Sequence, residues 1–466
     1  MAATAHQTQH KTLRIGSGAG FSSDRLEPAV DLARDGALDV LVFETIGERT
    51  LAFGHRDRMA DPTRGYNPHL AARMRAILPH AIANGTRIIT NMGVANVAAA
   101  ADVVLSVANE AGLRGVSVAL VEGDDVTGLM TPDTPLVDHH NRPISDVGQP
   151  VLCANAYIGA DAILPALETD AQVIITGRVA DPSLFIAPIA HAFDWSLDDW
   201  ERLGQGTLVG HLMECGMQVT GGYFADPGYK DVPDLANCGY PIADIFADGA
   251  VTLSKLDGTG GVISARTVKE QLLYEVHDPS AYLTPDVTAD FRGAAITDHG
   301  DNRVTITGGR GRARPDQLKA TVAFDAGVLA EAEVSYAGHG ARRRAELAQN
   351  ILTERLTRLV GDAGALRFDL IGENALHQTA HTNSAVEPDI ASAASAEAVR
   401  DIRVRVALRT ADRDAANLVL WETEALLCCG PAGGGGYRGR VTPSVVTHSA
   451  MVPRASVPTR VTVRSN

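Results

Sequence analysis

Thr12-Leu13-Arg14-Ile15-Gly16-Ser17-Gly18-Ala19-Gly20 begins as an apolar strand and runs straight into a glycine-rich turn. A helical stretch follows, about Ser23 to Asp35, with Ser22 or Ser23 available as its N-cap. Asp39-Val40-Leu41-Val42-Phe43-Glu44 is then an unbroken apolar run of strand length. Such runs suit strands covered on both faces of a parallel sheet. The alternation recurs. A helix near Pro68–Asn84 leads to the strand Arg87–Asn91, and a helix near Val97–Ala111 leads to Val116–Val121. Val173-Ile174-Ile175-Thr176-Gly177-Arg178 is a further strand of this kind. Strands alternating with helices predict an α/β fold, a doubly wound, mostly parallel sheet.

The texture changes near residue 195. Short helices are expected at Asp194–Gly204 and Gly206–Gly216, and a loop at Val219–Pro241. Strands are expected at Val251–Lys255, Arg303–Thr307, Gln317–Phe324, Leu329–Tyr336 and Ile402–Thr410, with helices at Thr267–Tyr274, Arg342–Val360 and Asp412–Leu427. His377–Ala398 reads as a linker or exposed loop, and Val441–Ser449 as a last strand. The expected organisation is a disordered tail (1–11), a doubly wound lobe (12–200) and a mixed α+β lobe (201–466). The glycine-rich loop Gly430–Gly436 closes the second lobe, and the site is expected between the lobes. No internal repeat is visible.

The 466 residues are 45% hydrophobic and 21% charged, an ordinary globular balance. The formal charge of −15 argues against nucleic acid and anionic membranes as partners, since both need a cationic face. No apolar run is long enough to span a bilayer, and the polar start shows no signal peptide. The five cysteines form no CxxC pair, which suits a reducing cytoplasm. A homo-oligomer is expected on general grounds.

In an open α/β sheet, ligands bind outside the carboxyl ends of the strands. That rule gathers Gly16, Ser17, Gly18 and Gly20 with Glu44, Asn91, Gly93, Glu122, Asp124, Arg178 and Asp181. The glycines resemble half of a dinucleotide fingerprint, but the full G-x-G-x-x-G is absent; the alternative is a tight turn without ligand. Arg178 after a buried strand can clamp a carboxylate or phosphate, with Asp181 as orienter or base. Their alternative is a structural pair with Asp181 as an N-cap. Glu122 and Asp124 suit general acid–base work or a hard cation, or form a solvated acidic turn. His211 with Cys215 shares a helix face, but no second ligand pair follows, so proton transfer or a structural role remain for His211. Tyr223 and Lys230 stand in a loop dense in reactive types, and Lys269 follows Gly258-Thr259-Gly260-Gly261, a possible anion nest. Gly433 and Gly434 suit a mobile lid or a close approach to a ligand. No G-x-S-x-G, H-E-x-x-H or kinase motif occurs.

Several segments in order carry a family resemblance. They include Ile89-Thr90-Asn91-Met92-Gly93, Val121-Glu122-Gly123-Asp124-Asp125, Ala154-Asn155-Ala156-Tyr157-Ile158-Gly159-Ala160 and Thr176-Gly177-Arg178-Val179-Ala180-Asp181-Pro182. Gly221-Gly222-Tyr223-Phe224-Ala225-Asp226-Pro227, Lys269-Glu270-Gln271-Leu272-Leu273-Tyr274 and Gly430–Gly435 continue it. The chain resembles the acyclic terpene utilisation protein family over about residues 12–450. Asn155, inside one of these segments, joins the binding candidates. The resemblance implies a setting beside acyl-CoA carboxylases, hydratases and dehydrogenases of branched-acid breakdown, and occurrence in other bacterial and fungal pathways. It carries no settled catalytic assignment. Some members carry a C-terminal ferredoxin-like domain; no clear separate copy of it is visible in this sequence, although Ile402–Thr410 and the next helix fit a part.

The expected function is a cytoplasmic enzyme acting on an organic acid or acyl thioester by lyase, hydratase or hydrolase chemistry. No redox cofactor and no metal are assigned. Asp181, Glu122, Asp124, His211 and Tyr223 are the candidate proton-transfer groups; Arg178, Lys230, Lys269 and the donors above are the candidate binding groups. Two alternatives stand beside it: a ligand-binding accessory subunit of an acyl-CoA-processing complex, and a metal-dependent hydrolase.

Overall fold

The computed structural model describes residues 12–372, 375 and 401–466. The tail 1–11 and the whole of the linker His377–Ala398 lie outside the described residues. The chain divides into two compact units: residues up to Ala323 with Thr447–Asn466, and Phe324–Val446. Residue 200, where the texture of the sequence changes, lies inside the first unit.

The first unit is built on a ten-stranded mixed sheet. Five strands form its parallel part: β1 (Thr12–Ala19), β2 (Val40–Phe43), β3 (Arg87–Thr90), β4 (Ser117–Glu122) and β5 (Val173–Thr176), in the order β1-β2-β3-β5-β4. All four residues of β2 and of β5 are buried, as their unbroken apolar runs require. Pro241–Phe246 joins β1 antiparallel, Val251–Lys255 follows it, and Arg460–Ser465 pairs antiparallel with β4. The last of these strands is short and polar enough to escape notice in the sequence.

Helices cover both faces. α1 (Glu27–Asp35), α3 (Leu70–Asn84) and α4 (Val97–Glu110) pack with Leu41, Phe43, Ile88, Leu120 and Ile175 in one core cluster. α1 starts later than Ser23 because Pro28 occupies its first turn, where a missing N–H costs nothing. Between β2 and α3 lies α2 (Glu48–Ala60), which lacks an apolar stripe and buries only Leu51, Ala52, Gly54 and His55. From β4 the chain returns across the sheet to β5, so a right-handed crossover places α5 (Ala160–Leu167) on the opposite face. α6 (Ser183–Phe193) and α7 (Trp200–Glu214) pack beside it.

α7 corrects the expectation of two short helices. Gly204 and Gly206 read as a break, but with Gly210 they sit inside one helix. A Cβ at Gly204 would stand 2.1 Å from the Arg310 backbone, and one at Gly210 would stand 2.8 Å from Pro182. The glycines allow close packing on both sides. Gln317–Phe324 and Leu329–Tyr336 likewise form one strand, Gln317–Ala337.

Among its described residues the second unit runs strand, helix, strand, strand, helix, strand. Its elements are Gln317–Ala337 from Phe324 onward, α8 (Ala341–Val360), Gly364–Ile371, Asp401–Thr410, α9 (Arg413–Cys429), and Gly435–Pro453 up to Val446. Numbered in that order, the strands lie 2-3-1-4 in the sheet. This is the split β-α-β, ferredoxin-like arrangement. Val328, Ala330, Ala332, Val334 and Tyr336 alternate inward and meet Ala345, Ala348, Leu352 and Leu356 of α8. The fragment expected at Ile402–Thr410 is therefore one strand of a complete unit.

Candidate functional site

The chain leaves β3 towards one face of the sheet and β5 towards the other, so a crevice is expected where these neighbouring strands end. A cavity of about 960 Å³ opens there, and all its lining residues belong to the first unit. Gly20 after β1, Glu44 after β2 and Arg178 after β5 reach it. Glu48 at the start of α2, Asp181 before α6 and Glu214 at the end of α7 also line it, with Tyr157 and Lys319.

Arg178 is the centre of this group and is 3% exposed. Its Nη2 donates to Asp181 Oδ1 at 3.0 Å, and Nη1 donates to the Ile46 carbonyl. Its guanidinium carbon lies 3.9 Å from the centroid of the Tyr157 ring, while Nε–H has no hydrogen-bond partner among the described residues. Burial alone would lower the Arg178 pKa; Asp181, Tyr157, Glu44 and Glu48 more than offset it, so the net shift is upward and the group stays charged. Its backbone N–H donates to Asp124 Oδ2 at 2.8 Å.

The carboxyls differ sharply in their surroundings. Glu44 Oε1 accepts from the Ile46 N–H at 2.8 Å and Asn91 Nδ2 at 2.9 Å. Burial, and then the charge of Asp181, push Glu44 well above the usual carboxylate range. Glu48 is also pushed up by burial, but the Tyr157 hydroxyl, donating at 2.6 Å, and Arg178 reverse this and bring it to about 2. Asp181 is pushed up by burial first, with Arg178 opposing. Its side chain is one-third exposed (32%), so water reaches it and moderates both the burial and the pull of Arg178. Lys319 Nζ stands 3.5 Å from Glu48 and 4.7 Å from the Tyr157 ring centroid, adding a second cation.

His211 is buried beneath the cavity. Its Nδ1 meets Glu214 Oε1 at 2.9 Å, and it stacks on Phe291 at 5.8 Å. Burial brings His211 down to about 4 and pushes Glu214 well up. Burial thus disfavours the charged form of both groups, and Glu214 is the member of the pair that lines the cavity. Cys215 also lines it, but burial pushes its thiol up, away from nucleophilic chemistry.

The other candidates fall in different places. Gly16, Ser17 and Gly18 are strand residues, not a ligand-facing turn. Cβ atoms there would meet Leu38 at 2.6 Å and the Phe43 ring at 2.4 Å, and Ser17 is fully buried. Gly93 packs on the Thr176 carbonyl, and Asn91 ties Glu44 to the Thr45 N–H. Asn155 donates to Asp124 Oδ2 at 2.9 Å and meets His55 Nε2 at 2.8 Å. Glu122 pairs with Arg460 and lines a separate cavity of about 230 Å³ with His55, Asp124 and Asn155. Asp124 is buried behind Gly177, and burial pushes it to about 6. Asp181 does not cap α6, whose N-cap is Pro182. Tyr223 is 83% exposed, and Lys230 and Lys269 line a neighbouring cleft. Gly433 and Gly434 lie in the second unit against Arg344 and Tyr336.

Glu48, Tyr157 and Lys319 are cavity residues that the sequence did not single out. Tyr157 sat inside a quoted segment, and lysine is scarce in this chain, so Lys319 carried a compositional signal. Among the described residues no three His, Cys, Asp or Glu side chains gather as a metal-binding set. Among the same residues no helix is long and apolar enough to cross a membrane.

An α/β sheet with an ionisable cavity at its parallel strand ends defines the class. Residues 13–463 match the family described as acyclic terpene utilisation family protein AtuA, and the chain belongs to that family. No curated protein matches the chain. No solved structure matches it.

Proposed function

We propose that this protein is an enzyme that moves protons on an organic acid or acyl thioester, in lyase or hydratase chemistry. One observation carries the reading. A single cavity holds carboxyls pushed in opposite directions, Glu48 down to about 2 and Glu44 and Glu214 well up, around a buried guanidinium. Environments that separate like groups in this way suit one for acid and another for base work.

In this reading Arg178, with its unused Nε–H, and Lys319 hold the anionic part of the substrate. Asp181, partly open to the cavity, takes the proton from carbon. Glu44, protonated by burial, donates to the leaving or accepting oxygen. Glu214 with His211 is a second proton store at the far wall. Glu48 fixes Tyr157 and so the plane of Arg178.

A thermal-shift panel of dicarboxylic acids, hydroxy acids and acyl thioesters tests it. A ligand at about 100 times its Kd adds about 2.7 kcal/mol of stability. Stabilisation by a carboxylate or thioester that Arg178→Lys abolishes supports the reading. No stabilisation by any member, with stabilisation by a purified acyl-CoA-processing protein, favours the accessory-subunit alternative.

A further inference from the structure

We propose that the cleft beside the cavity binds the phosphate-bearing nucleoside end of a carrier thioester whose acyl end enters the Arg178 cavity. The inference rests on the function proposed above and names the substrate class of that site.

The cleft has a volume of about 670 Å³ and is lined by Phe224, Lys230, Arg266, Lys269 and Tyr274. Tyr274 and Glu275 line both it and the cavity, so the two spaces adjoin. A small free acid fills only the inner one; a long ligand with two chemically distinct ends fills both.

Three basic side chains, two glutamates (Glu270 and Glu275) and two aromatic rings line the cleft. The basic ones gather there in a chain of net charge −15. Lysine is scarce: of 41 basic residues only Lys11, Lys230, Lys255, Lys269 and Lys319 are lysines. Lys319 lines the cavity, and Lys230 and Lys269 line the cleft. A compact ammonium is a point charge suited to phosphate oxygens. Lys230 Nζ and the Arg266 guanidinium stand 5.0 and 5.7 Å from the Phe224 ring centroid. Tyr223 and Tyr229 nearby are 83% and 80% exposed, which leaves ring faces for a base to stack on. Tyr223 has φ +61°, a conformation a bulky residue rarely adopts, and its ring meets Tyr274 edge-on at 6.1 Å.

The cleft also contains its own competitor. Glu270 Oε2 accepts from Lys230 Nζ at 2.6 Å. A phosphate entering the cleft would take that place, so Glu270 weakens anion binding and a neutral residue should strengthen it.

Calorimetric titration of the intact protein with coenzyme A, adenosine 3′,5′-bisphosphate, ATP and pantetheine tests the proposal. Coenzyme A and the bisphosphate should bind and compete. Arg266→Ala/Lys269→Ala, at two exposed positions, should weaken both by about tenfold or more and leave pantetheine unchanged. Glu270→Gln should tighten both severalfold. No binding of coenzyme A or the bisphosphate overturns the proposal. So does binding of ATP alone, which would assign the cleft to a free nucleotide, or binding indifferent to both variants. Carboxylate binding lost in Arg178→Lys, without coenzyme A binding, removes the cleft assignment and leaves the cavity reading standing. Coenzyme A binding without proton exchange does the reverse.

Discussion

The guanidinium carbon of Arg178 stands over the Tyr157 ring, 3.9 Å from its centroid. The Tyr157 hydroxyl is itself held by Glu48 at 2.6 Å. Glu48 thus fixes the ring, and the ring fixes the plane in which Arg178 presents its remaining donor. Lysine keeps the charge but loses both the plane and the fork. Arg178→Lys should raise the Kd for an anionic ligand by about 10–100-fold while the protein stays folded. Calorimetry with the best ligand from the panel measures it; an unchanged Kd removes Arg178 from binding.

Glu44→Gln separates structure from chemistry. Both hydrogen bonds to Glu44 arrive at Oε1, so an amide oxygen accepts the same pair. Burial already favours the neutral form, so the fold should be as stable or slightly more so. If Glu44 is the acid, kcat should fall by about 10²–10⁴. A folded variant with full turnover assigns that role elsewhere.

Asp124 supplies a pH signature of stability. Burial raises its carboxyl from 3.8 to about 6. A raised carboxyl favours the protonated folded state, so its stabilising contribution is complete below about 3.8. It is lost as pH rises through about 6. Asp124→Asn keeps an acceptor for the Arg178 N–H and does not titrate. Relative to the natural protein it should gain on the order of 3 kcal/mol between pH 4 and pH 7. Urea midpoints at both pH values read this; a constant difference contradicts the assignment.

Gly204→Ala sets two effects against each other. In a helix interior alanine gains about 1 kcal/mol over glycine. Here its Cβ would meet the Arg310 carbonyl at 2.1 Å, a backbone atom that cannot swing aside. Overpacking of this kind costs about 1–3 kcal/mol or more. The substitution should lower the thermal midpoint; a rise would mean that α7 shifts freely on the 310–312 strand.

The parallel layer was legible because β2 and β5 are buried on both faces and therefore carry unbroken apolar runs. Arg178 was legible because a charge directly after such a run has few reasons to be there. The helix α7 was not, since its glycines serve packing partners far away in the sequence. For the same reason Gly16 and Gly18 imitated a phosphate turn while making room for Leu38 and Phe43. Glu48, Glu214 and Lys319 stand on three separate elements, and only the fold brings them together. The ferredoxin-like unit showed only as fragments, because its strands are joined by long helices and by residues 373–400.

The measurement closest to the central claim is deuterium uptake from D₂O at the carbon next to the carboxyl or thioester carbonyl. It would be followed by NMR across the acid and thioester panel, with the natural protein and Asp181→Asn. The account predicts uptake by at least one compound, at least about 10²-fold slower with Asp181→Asn, because the base is then absent. No uptake from any compound, or uptake indifferent to Asp181→Asn, contradicts the assignment of this cavity to proton transfer.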